Sequence, residues 1–113
     1  MLELLQNIIN ETIINNQSMA GNLESSVVDI DSISCFAIQY SWTSFSGDGN
    51  ELITTYASND NQVWTQIDSF IPSDITDSTI LNIEKAGYRH VRVNYTAGSS
   101  SGTLKVTISG KVI

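Results

Sequence analysis

At 113 residues, with 12 acidic and 5 basic side chains and a net charge of −7, the chain suits one domain with a core and is short for two. The charge excludes broad contact with nucleic-acid phosphates, which depends on clustered basic groups. No window approaches the ~20 apolar residues of a membrane-spanning helix, and a single cysteine, Cys35, excludes an intrachain disulfide.

In chain order, Leu2, Leu5, Ile9 and Ile13 recur at helical spacings of three and four, whereas β-branched Ile8, Ile9, Thr12, Ile13 and Ile14 oppose a helix. Residues 1–10 are therefore read as a short N-terminal arm or helix, ahead of a single β-sandwich domain over 11–113 whose first strand lies around 11–16. Glu3 and the interrupting asparagines do not suit a secretory leader. An apolar segment of this kind packs on a neighbouring subunit or on its own core. Leu2, Leu5, Ile8 and Ile9 are the expected intersubunit contacts.

Residues 17–26 read as a polar loop, and Val27, Val28 and Ile30 begin the next strand with Asp29 and Asp31 interleaved. Phe36, Ile38, Tyr40 and Trp42 then alternate with Cys35, Ala37, Gln39 and Ser41, the period of two that sets one strand face on a core. Cys35 is expected as buried filler, since a free thiol packs as a small hydrophobe. Gly47-Asp48-Gly49-Asn50 predicts a hairpin turn into a strand over 52–58; Asn59-Asp60-Asn61 predicts the next, into 63–67.

The stretch 70–77, with the sole proline Pro72, is an irregular connection to a short strand at 79–83. In 89–95, Val91, Val93 and Tyr95 face inward and His90, Arg92 and Asn94 outward. A Gly/Ser hairpin loop at 97–102 leads to the alternation Leu104, Val106, Ile108. Seven or eight strands at this spacing mean an all-β, antiparallel β-sandwich, jelly-roll-like or immunoglobulin-like; strand order is not legible.

Catalytic chemistry finds little support. His90 is the sole histidine and sits within a strand, away from any strained turn that would present a nucleophile. One His and one Cys cannot complete a zinc site from one chain. Asp48, Asn50 and Glu51, and again Asn59, Asp60 and Asn61, are oxygen-rich enough for calcium, but the same residues serve tight turns for backbone reasons. No phosphate-cradling loop is present. The expectation is no enzyme, no cofactor and no metal. Among the aromatics, Tyr40 and Trp42 belong to the core face. Trp64 and Tyr88, with Asn59, Asp60 and Arg92, are the residues placed to stack on and hydrogen-bond a surface ligand such as a glycan.

Several segments carry a resemblance: Ile38-Gln39-Tyr40-Ser41-Trp42, Ala57-Ser58-Asn59-Asp60 with Trp64, Ala86-Gly87-Tyr88-Arg89-His90-Val91-Arg92-Val93, Gly102-Thr103-Leu104 and Ser109-Gly110-Lys111. From about Ser25 to Lys111 the chain resembles small tailed-phage and phage-like proteins, single β-sandwich modules of virions or prophage regions without defined catalytic residues. Ser58-Asn59-Asp60 with Trp64 is also similar to a hairpin of discoidin-type carbohydrate-binding sandwiches.

The phage resemblance implies a non-enzymatic virion structural protein, capsid-decorating or tail-associated, assembled in the host cytoplasm. Its expected partners are itself, as a homo-oligomer with a trimer foremost, and other virion proteins. Nucleic acid and membrane are not expected partners. The alternative is a carbohydrate-binding or host-surface adhesion module.

Overall fold

The computed structural model describes residues 7–31, 33–84 and 86–111. Nine strands run through them: β1 (Asn7–Ser18), β2 (Leu23–Glu24), β3 (Val28–Asp29), β4 (Cys35–Ser46), β5 (Leu52–Ser58), β6 (Thr65–Phe70), β7 (Asp77–Ile83), β8 (His90–Thr96) and β9 (Ser101–Lys111). The pairing is nested and antiparallel throughout: β1 with β9, β2 and β3 with β8, β4 with β7, β5 with β6. One sheet is ordered β1-β9-β4-β7; the other is ordered β2-β8-β5-β6, with β3 also on β8. First strand with last, second with second-last: this is a hairpin rolled into two sheets, the jelly roll, which decides between the two topologies the strand spacing allows.

The nesting corrects two turns. Residues 44–50 and 97–102 do not close hairpins, because β4 and β5 lie in different sheets, as do β8 and β9. Both are arches that cross the sandwich. Only the β5–β6 turn joins consecutive strands that pair. The polar loop at 17–26 also contains the two-residue strand β2, and the strand expected at 63–67 runs instead from Thr65 to Phe70.

The two inner faces follow the alternation. Phe36, Ile38, Tyr40 and Trp42 of β4 meet Val91, Val93 and Tyr95 of β8, with Leu104, Val106 and Ile108 of β9, all buried. Tyr40 links the layers: its hydroxyl hydrogen-bonds Thr55 on the opposite sheet, and its ring packs edge-on against Phe70, with centroids 5.1 Å apart. After Trp42 the phase of β4 slips by one. Ladder pairs Thr43–Thr103 and Ser46–Ser101 leave Ser44 and Phe45 opposite Gly102, and this bulge turns Phe45 inward. A similar irregularity between Thr12 and Ile14 lets consecutive Ile13 and Ile14 both be buried.

Two placements differ from the sequence reading. Cys35 is half-buried and on the outer face, because its neighbour Phe36 takes the inner one. Residues Asn7–Asn10 belong to strand β1 rather than to an arm over 1–10. Ile9 is 8% exposed and part of the sandwich's own core, so it is not available as the intersubunit contact expected of it. Leu2, Leu5 and the side chain of Ile8 lie outside the described residues.

Candidate ligand-binding surfaces

The outward residues of β8 alternate with its core residues, so Arg92 stands on the outer face of the larger sheet, in register with Tyr56 of β5. Tyr56 in turn faces Gln66 of β6, and Trp64 lies just before that strand. The result is a stack. The Arg92 guanidinium carbon sits 4.5 Å from the Trp64 ring centroid and 5.7 Å from that of Tyr56. Glu24 of β2 flanks it, with Oε1 3.7 Å from Nη1. Among the described residues, Arg92 Nε and Asn94 Oδ1 are enclosed without a hydrogen-bond partner.

A cation over an indole face contributes about 0.5–2 kcal/mol, depending on desolvation. Here it also pins the end of the β5–β6 turn to the sheet. Replacing Arg92 with Ala should lower stability by about 1 kcal/mol. It should also shift Trp64 emission to the red. Trp42, the other tryptophan, is buried with Nε1 donating to the Asp74 carbonyl at 2.9 Å, and should stay unperturbed. Denaturant titration and emission spectra check both effects.

Asn59, Asp60 and Tyr88 lie elsewhere. They line an open groove of about 430 Å³ at the β5–β6 turn, together with Ala57, Val63 and Ile67. The structure thus divides the five sequence-predicted residues between two places: Trp64 and Arg92 on the sheet face, the other three in the groove.

Asp60 is engaged by its own turn. Its Oδ1 accepts from the amides of Gln62 and Val63, both at 2.9 Å, and from the Ser58 hydroxyl at 3.0 Å. The Val63 and Gln62 amides, in that order, hold its pKa below the usual carboxylate range. Asn61 supplies the positive φ of 59° that the turn needs.

The register also lines up Asp29, His90 and Ser58 on adjacent strands, the residue types of a hydrolytic triad. The geometry is not that of one. Ser58 is buried, its hydroxyl donates to Asp60 and accepts from the amides of Asp60 and Asn61, and no hydrogen bond joins it to His90.

Asp48 and Glu51, weighed in the sequence as calcium donors or turn residues, meet in the first arch. Glu51 is 1% exposed, yet both its oxygens are satisfied: Oε2 by the Asp48 amide and Oε1 by the Gly49 amide, each at 3.1 Å. Asp48 reaches across to the second arch, accepting from the Ser99 amide at 3.1 Å and from the Asn50 amide at 3.0 Å. The Ser99 bond, then the Asn50 bond, lowers the Asp48 pKa to about 2. A Cβ at Gly98 would overlap both carboxylates, so glycine there lets the arches close on each other. Among the described residues no three His, Cys, Asp or Glu side chains are grouped to hold a metal ion. These acids join the loops at one end of the sandwich.

No protein-family model matches the chain, and no curated protein sequence matches it. Solved structures do share its fold. The SPBc2 prophage-derived protein YomS superposes with a TM-score of 0.57 at 12% identity, over 92% of this chain and 94% of that one. The C-terminal domain of a chitobiase from Bacteroides fragilis gives 0.50 at 12% identity, over 97% and 96%. A protein of Bacillus endospore appendages, described as disulfide-linked pili, gives 0.50 at 13% identity, over 96% and 92%. The β-sandwich and its likeness to a phage-derived protein thus agree with the resemblance in the sequence. At these identities the likeness is one of fold.

Proposed function

We propose that the chain is a non-enzymatic structural protein of a phage particle, decorating the capsid or associated with the tail, that assembles with itself and with other virion proteins in the host cytoplasm. The observation that carries this reading is the near-complete mutual coverage with a prophage-derived protein, 92% of one chain and 94% of the other. The local geometry supports it: Ser58 and Asp60 hydrogen-bond within the β5–β6 turn, and Glu51 and Asp48 hold the first arch, Asp48 also reaching the second.

Leu2, Leu5 and Ile8 remain the proposed intersubunit contacts of the N-terminal segment. The structure sets where to cut. Deletion should stop before Asn7, since removing residues through 10 would take Ile9 from the core. Sedimentation velocity over a wide concentration range should give an oligomer, a trimer first, that dissociates when residues 1–6 are removed while far-UV circular dichroism is unchanged. A chain that stays monomeric and is missing from purified particles would sink the proposal.

The second reading is a glycan-binding surface on the outer face, favoured by the enclosed, unpartnered Arg92 Nε and Asn94 Oδ1 beside the rings of Tyr56 and Trp64. Sugars are held by such pairs of stacking rings and planar polar groups. One indole face is already taken by Arg92, so a sugar would use the edge of the platform or displace the guanidinium. Trp64 emission that ignores a broad panel of oligosaccharides would dispose of this reading.

A further inference from the structure

Among the described residues the two sheets end in four edges, and three of them are blunted. β1 breaks register with β9 in three places. The edge beside β8 is divided into β2 and β3, two residues each. β6 is bulged against β5 and carries Asp68. These are the devices by which sheet edges avoid pairing with other chains. β7 is neither bulged nor divided. Its seven residues pair with β4 in unbroken register from Asp77–Trp42 to Ile83–Phe36, without proline or lysine, and Asp77 at its start is its one charged residue. Ile80, at its centre, is 55% exposed. Of five exposed large apolar side chains among the described residues, three, Ile71, Ile75 and Ile80, lie on this strand or the connection into it.

We infer that β7 is an interface strand, pairing antiparallel with β7 of a second copy about a two-fold axis through Ile80. The strand is self-complementary in that register. Ile80 meets Ile80 of the partner subunit, Ser78 meets the partner's Asn82, Thr79 the partner's Leu81, and Asp77 the partner's Ile83. An apolar pair is thus flanked by hydrogen-bonding pairs on the outer face.

Charge favours the same arrangement. Six residue steps at ~3.3 Å set the two Asp77 carboxylates roughly 20 Å apart, beyond the ~8–10 Å screening length. A strand that placed charge opposite charge would repel itself; this one does not. Pairing would join two four-stranded sheets into one continuous sheet and cover Ile80. It is an isologous contact, of the kind that closes a dimer, and it rests on the self-assembling reading above. A single strand pair falls at the small end of specific interfaces, below roughly 1,200 Å², so the contact is a weak one that repetition in an assembly would reinforce.

The test uses the full chain. Ile80→Lys adds a charge at an exposed position and leaves the core intact; its circular dichroism should match the parent. Sedimentation should show self-association weakened at least about tenfold, equivalent to about 1.4 kcal/mol. In a Cys35→Ser background, Ile80→Cys should form an interchain disulfide under mild oxidation much faster than Ile75→Cys, which is more exposed but off the axis. Association unchanged by Ile80→Lys, or crosslinking no faster at 80 than at 75, overturns the inference. Association lost on deleting residues 1–6 but indifferent to Ile80→Lys also overturns it, yet leaves the virion proposal standing. A monomer found in purified particles does the same, while a monomer missing from particles ends both.

Discussion

Replacing Gly102 with Ala should destabilise the sandwich by about 3–5 kcal/mol and lower Tm by roughly 10–25 °C. Two costs combine. Gly102 has φ +124°, a region open essentially to glycine, and an L-residue held there costs of order 1–3 kcal/mol. The added methyl would also approach backbone atoms, the Cα of Phe45 at 2.9 Å and the carbonyl oxygens of Thr43 and Ser44 at 3.0 and 3.1 Å. Neither can swing aside as a flexible side chain could, so overpacking contributes about 1–3 kcal/mol more. Relief would require opening the β4 bulge that turns Phe45 inward, and would disturb the Gly102 carbonyl that accepts the Met19 amide at 2.9 Å. Gly21→Ala is the control. Nothing lies within 4 Å of its would-be Cβ, and the change should be neutral or stabilising by up to about 1 kcal/mol. Thermal and urea unfolding of the two variants separates a specific backbone demand from a general loss of glycine.

Above pH 10 the sandwich should lose about 2 kcal/mol of stability through one group. Burial raises the Tyr40 hydroxyl from 10.0 to about 12; the Thr55 hydrogen bond opposes that rise and the charge of Asp68 adds to it. The native state therefore keeps a proton that the unfolded chain releases. The associated stability is fully present below pH 10 and is lost as pH climbs through 12. A shift of about two units corresponds to roughly 2.7 kcal/mol, of which about 2 is gone by pH 12.

Tyr40→Phe tests the assignment by a reversal. At neutral pH the variant should be less stable by about 1 kcal/mol, because Thr55 loses its buried partner. The variant lacks the Tyr40 part of the alkaline fall, so the two curves should cross near roughly pH 11. Guanidinium titrations at pH 8 and pH 12 would show the crossing. Parallel curves would mean that Tyr40 ionises as freely in the native state as in the unfolded one. Burial raises the Tyr95 hydroxyl too, which acts in the same direction and is left intact in both proteins.

Strand identity was legible because it is local. Whether Phe36, Ile38, Tyr40 and Trp42 share a face depends only on the two-residue repeat of an extended chain, as it does for Val91, Val93 and Tyr95 or Leu104, Val106 and Ile108. Strand partnership is not local. Gly47-Asp48-Gly49-Asn50 meets the same backbone demand in an arch between sheets as in a hairpin within one, so the turn residues could not report that β4 pairs with β7 and β9 rather than β5. Phase slips were hidden for a related reason: the bulge at Ser44 depends on Gly102, far along the chain.

The candidate surface divides in the same way. Alternation alone set Arg92 outward, but its stacking on Trp64 and Tyr56 required three strands to lie side by side, and nothing local set Tyr56 apart from the other aromatics. Conversely, Asn59 and Asp60 read as ligand-binding groups because a turn and a binding loop use the same polar residues; hydrogen bonds to Gln62 and Val63 place Asp60 with the turn. The sequence by itself determined the all-β character, the inward faces and the acidic, cysteine-poor chemistry, since each follows from residue type and a period of two. Only the tertiary structure decided the jelly-roll nesting, the blunted and open edges and the meeting of Arg92 with Trp64, because these depend on contacts between residues that the backbone brings together from distant points of the chain.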